Sequence, residues 1–173
     1  MRKVNQWSAA ALTFKTREFD ARTGSEIMFR INEVEPVDLL KETEVLVGGQ
    51  WLPLTEENID LHVHDEFAVL TPLNMLELLL NTVKEHNFGF VINRKSVRFP
   101  TRFQKDAGKM TQSEALDPLL AMIVGSGRAT LRELEEYYSF RDAYDMADLI
   151  TAETVNRLLA NEQAEKEAAK NRG

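Results

Sequence analysis

Apolar positions near the start of the chain alternate with polar ones. Leu12 and Phe14 lie two residues apart, and Ile27, Phe29 and Ile31 repeat that period. The pattern predicts the two arms of a β-hairpin. Ala21-Arg22-Thr23-Gly24 falls between them, with Gly24 supplying the positive φ that a hairpin loop often uses. Lys15, Arg17 and Arg30 keep one face wet, so the hairpin must pack on something else to be stable. Residues 36–60 break into short elements. Pro36 opens a helical turn through Leu39 and Leu40, Gly48-Gly49 ends what precedes it, and Thr55-Glu56-Glu57-Asn58 begins another turn. Thr71-Pro72 then gives an N-cap and a proline at the first helical position. Leu73, Leu76, Glu77, Leu80 and Val83 follow at helical spacing, to an end near Asn87-Phe88-Gly89. Over residues 88–99 alternation returns, with a turn at Asn93-Arg94-Lys95-Ser96 before Val97 and Phe99.

Residues 100–115 read as a linker, and the chain beyond them is helical in pattern. Leu116 to Val124, with Pro118 in its first turn, predicts a short helix stopped by Gly125-Ser126-Gly127. Thr130-Leu131-Arg132-Glu133 has the spacing of a capping box. From Phe140 a last helix runs to about Lys170, with Phe140, Tyr144, Ala147, Ile150, Thr154 and Leu158 forming a stripe. After Leu159 that stripe fades into Glu and Lys. The fold class expected is α+β: an N-terminal β-hairpin and short strands with a central helix, then a helical lobe ending in a long helix. The expected division is residues 1–105, mixed, and 106–173, helical.

Composition narrows the chemistry. Among 173 residues, 43% are hydrophobic and 28% charged, a globular balance with enough chain for a core. The absence of cysteine excludes disulfides, thiolate nucleophiles and cysteine-bound metal centres. Met1-Arg2-Lys3 is followed by polar residues rather than an apolar signal segment, and no apolar run reaches membrane-spanning length, so a cytosolic location off the membrane is expected.

Charge is distributed in blocks. Residues 1–32 carry six Lys/Arg against three Asp/Glu, and residues 33–87 two against twelve. Residues 88–110 carry six against one, and residues 111–173 seven against twelve. The net charge of −7 disfavours general nucleic-acid binding, which depends on cations displacing phosphate counterions. Such alternation suits protein–protein contact or pairing between segments.

Three constellations invite a chemical reading. His62-Val63-His64-Asp65-Glu66, if extended, places both imidazoles on one face beside carboxylates, but a metal site needs about four ligands and His86 is the only other histidine. We expect no metal there. Arg94-Lys95-Ser96-Val97-Arg98-Phe99-Pro100-Thr101-Arg102-Phe103-Gln104-Lys105 interleaves cations and rings as single-strand binders do, and equally as protected strand edges do. Phosphate-cradle, dinucleotide and nucleophile-elbow patterns are missing, so neither an enzyme nor a cofactor is expected. Tyr137, Tyr138, Phe140 and Tyr144 surround a helix–helix junction, where rings with polar tips suit partly buried contacts. With Ile150 they are the candidate partner-binding residues, some of them serving the core instead.

Residues 129–150 resemble the C-terminal helical part of the small tail assembly chaperones of tailed bacteriophages. In that family a helix ends at a Tyr-Ser-like junction and the next helix carries an Asp-x-x-Tyr-Asp-Leu-like face. Here those positions are Tyr138-Ser139 and Asp142-Ala143-Tyr144-Asp145-Met146. The resemblance implies a non-enzymatic protein of the host cytoplasm that holds the tape-measure protein and helps tail-tube subunits assemble around it. The competing expectations are a permanent component of the tail or baseplate in the virion, and a nucleic-acid-binding accessory protein using residues 94–105. Oligomeric state is left open by the sequence.

Overall fold

The computed structural model describes residues 2–31, 33–65, 67, 69–104 and 116–171. Its first element is a hairpin of β1 (Val4–Ala9) and β2 (Leu12–Arg17), joined at Ala10-Ala11 with φ of 48° and 65°. Positive φ at both loop positions matches the natural twist of paired strands. Trp7 stands opposite Phe14, their rings stacked at 5.7 Å. β3 (Thr43–Val47) pairs with the other side of β2, and β4 (Gln50–Pro53) returns from β3 through Gly48-Gly49. The result is an antiparallel sheet of order β1-β2-β3-β4. The mixed α+β class expected from the sequence is the one observed.

The second hairpin arm is a correction. Ala21–Phe29 forms helix α1, and Gly24 lies inside it rather than in a turn. Two physical facts favour helix there. The Asp20 carboxylate accepts the Thr23 N–H at 2.8 Å, and Ala21, Gly24, Ser25 and Ile27 are buried at helical spacing. Helices α2 (Pro36–Leu40), α3 (Glu56–His62) and α4 (Pro72–Ile92) start where their proline and cap residues place them. The hydroxyls of Thr55 and Thr71 each accept an N–H at 3.2 Å, from Asn58 and Asn74.

Two further expectations change. His62 closes α3, so the extended His62–Asp65 strand does not form; the Thr55 cap and the acidic first turn of α3 favour helix instead. α4 continues through Phe88, Gly89 and Phe90 to Ile92, because Phe88 is held in an aromatic cluster that a strand exit would break. Past it, residues 95–100 are coil rather than strand. The remaining helices are α5 (Thr101–Gln104), α6 (Pro118–Gly125), α7 (Leu131–Glu136) and α8 (Phe140–Lys170). From residue 105 on, the expected linker lies outside the described residues.

Two compact units emerge. The first comprises residues 1–94 and 132–141, the second 95–131 and 142–173. In the first, Phe14 and Val45 of the sheet are buried, as are Leu39, Leu40, Met75, Leu79 and Val83, with α2 packed on α4. In the second, Leu120, Ile123, Ala143 and Ala147 are buried, Arg128 pairs with Glu153, and Arg102 reaches Glu162 at 3.0 Å. Among the described residues, no helix is long and apolar enough to cross a membrane.

Candidate functional site

Of the candidate residues, Tyr137, Tyr138 and Phe140 belong to a stretch that backbone hydrogen bonds stitch into the first unit, whereas Tyr144 and Ile150 belong to the second. Ala21 N–H donates to the Tyr138 carbonyl at 2.9 Å, and Phe140 N–H donates to the Phe19 carbonyl at 3.2 Å. Asp20 and Ser139 thereby form an isolated antiparallel bridge. Phe140 is only 3% exposed, edge-on to Phe88 at 5.8 Å and to Phe90 at 6.1 Å. Its backbone neighbour across the contact is Gly24, where a Cβ would stand 2.7 Å from the Phe140 Cγ and nearer still to its Cβ. Only glycine admits that approach.

Polar groups complete the joint. Buried Asn87 accepts the Phe19 N–H at 2.7 Å through Oδ1 and donates to the Val83 carbonyl at 3.0 Å through Nδ2. Nearly buried Glu18 accepts the Lys3 N–H at 2.9 Å and faces Arg141 at 3.6 Å. Arg141 also lies over the Phe90 ring at 4.9 Å, a cation–π contact. Arg22 pairs with Glu135. His86 sits beside Glu18, Arg141 and Lys3. Burial holds its pKa below the ordinary histidine value; Glu18 and a hydrogen bond to the Lys3 backbone oppose, and the cations Arg141 and Lys3 add a smaller push downward. Its Nε2 is buried without a hydrogen-bond partner among the described residues.

The candidate residues therefore fall into different surroundings. Phe140 belongs to the core. Tyr137 is 66% exposed, and Tyr138, Tyr144 and Ile150 are half-buried. Further along α8, Leu149 and Leu159 are exposed. Several members of the basic run have partners of their own. Arg94 lies 5.9 Å from the Phe90 ring, Arg102 is paired with Glu162, and the Val97 N–H donates to Asp148 at 3.1 Å. Lys105 lies outside the described residues.

One surface feature was missed in the sequence. After α3, the Asp65 carboxylate accepts three backbone N–H groups, from Phe67 at 2.9 Å and from Val69 and Leu70 at 2.8 Å. These bonds, led by that from Leu70, hold the Asp65 carboxyl below the ordinary aspartate range. The loop so fixed leaves Phe67 72% and Val69 79% exposed. The available signal was the aspartate itself, since an Asp side chain readily accepts backbone N–H groups two or more residues on. Among the described residues, no group of three or more histidines and carboxylates could hold a metal ion. Neither a family model, a curated protein nor a solved structure matches this chain.

Proposed function

We propose that this protein is a non-enzymatic assembly factor of the phage tail assembly chaperone kind. In that reading it holds the tape-measure protein and tail-tube subunits during tail morphogenesis in the host cytoplasm. The observation that carries the reading is the junction at residues 131–150. α7 ends at Glu136, Tyr138-Ser139 makes the connection, and α8 opens with Asp142, Tyr144 and Asp145 in its first turns. That is the helix, Tyr-Ser joint and second helix on which the resemblance rests. Phe140 is buried, so this reading leaves client contact to the accessible candidates of α8, Tyr144 and Ile150, with the exposed Leu149 and Leu159 of the same helix, in a helix-against-helix mode.

Co-expression with the tape-measure protein of the same phage tests this. The client should stay soluble and co-purify, and Leu149→Asp with Leu159→Asp should release it while leaving the circular dichroism melt in place. Mass spectrometry of purified particles is the second arm. A chaperone is absent from them; presence at fixed copy number would overturn the proposal in favour of a structural tail component.

A further inference from the structure

The acidic block at residues 33–87 is not spread evenly over the surface. Where α2, α3 and α4 meet, a groove of about 430 Å³ has an apolar floor of Pro36, Val37, Ile59 and Leu76. Its rim is Glu35, Glu56 and Asp60, and none of its described lining residues is basic. Through Val37 and Glu56 it continues into a second hollow of about 600 Å³, whose rim adds Asp38 and Glu57 and a single cation, Lys41.

We infer that this groove docks a lysine- or arginine-rich amphipathic helix of a partner protein. Charge complementarity sets the sign: five carboxylates against one lysine flank a strip of aliphatic side chains. An occupant must therefore offer an apolar face to the floor and cations on both flanks. A helix does this with aliphatic residues at i, i+3 and i+7 and basic residues beside them. An anionic ligand would meet five like charges.

The inference is independent of the assembly reading, because its probe is a synthetic peptide and neither test decides the other. The experiment measures fluorescence anisotropy of a labelled helical peptide with Leu at i, i+3 and i+7 and Lys on the flanks, titrated with the full chain. Saturable one-to-one binding that weakens as salt rises is expected. Glu35→Lys with Asp60→Lys should weaken it by about tenfold or more, since rim charges set encounter and register. Both positions are exposed and neither caps a helix with its side chain, so an unchanged melt should confirm the fold. Glu165→Lys with Glu167→Lys, on exposed positions of α8, should leave binding unchanged. Equal weakening by both pairs, equal binding of a peptide with Glu in place of Lys, or no saturable binding would overturn the inference. So would a dimer in the ultracentrifuge that the Glu35→Lys, Asp60→Lys pair dissolves, because the occupant would then be a second copy.

Discussion

Gly24→Ala sets two physical effects against each other, and the structure decides the sign. Gly24 is inside α1, where alanine is ordinarily the better helix former by about 0.5–1 kcal/mol. Against that gain, the added methyl would meet the Phe140 Cβ and stand 2.7 Å from its Cγ, below any ordinary carbon–carbon contact. Phe140 has little room to retreat. It is buried, ringed by Phe88 and Phe90, and its N–H is tied to the Phe19 carbonyl. Forcing a methylene-sized group into such a core costs about 1–3 kcal/mol, and here the backbone on both sides is fixed, which favours the upper end. The net expectation is a loss of about 1–2 kcal/mol once the propensity gain is deducted. Urea unfolding followed by circular dichroism reads this as a lower midpoint at unchanged slope. A rise in midpoint would mean that α1 and the start of α8 do not approach as described. It would refute the close-packed joint and not merely its magnitude.

Three further outcomes are expected. Asn87→Ala strands the buried Phe19 N–H and should cost about 1–3 kcal/mol in the same unfolding assay, with faster amide exchange at Phe19; an unchanged Phe19 exchange rate would contradict the bond. Ala10→Asn with Ala11→Gly places residues suited to positive φ in the first hairpin turn and should stabilise by about 1 kcal/mol, and a loss would show that the turn has another geometry. His86 has a folded pKa lowered by burial below the unfolded value near 6.5, so the unfolded chain binds its proton first. Stability associated with it is full above that pH and falls as pH drops below it, and His86→Gln should flatten the decline seen by thermal melts between neutral and mildly acid pH.

Legibility of the fold followed the strength of local chemistry. Thr55, Pro36 and Thr71-Pro72 announce α3, α2 and α4 because a cap or a proline acts within four residues of itself. The long α8 was equally plain from its stripe. The first hairpin was not, because its turn is Ala10-Ala11, which carries none of the Asn or Gly grammar of a two-residue loop. Ile27, Phe29 and Ile31 alternate as a strand would, yet the side chain packed against Gly24 of α1 is Phe140, far along the chain. Phe88 and Phe90 misled in the same way, since their partners are Phe19 and Phe140. Of the candidate residues, the ring content of the junction was readable but not which ring faces inward. The acidic groove draws on residues 35–37, 56–60 and 76, and only the fold brings them together.

The stitching of residues 132–141 into the first unit sets an order for synthesis on the ribosome. Residues 1–94 emerge with the seat of Phe140 empty, and the chain must lay down 95–131, of the other unit, before the missing wedge arrives. At translation rates of about 5–20 residues per second, that leaves the Phe19–Phe88 rings without their third partner for several seconds. Until then the N-terminal unit lacks part of its packing, and it should be more open to proteases than the completed domain. Ribosome arrest before residue 140 should leave it protease-sensitive, whereas arrest with residue 141 well clear of the exit tunnel should protect it. Completion of the first unit thus waits on one late phenylalanine.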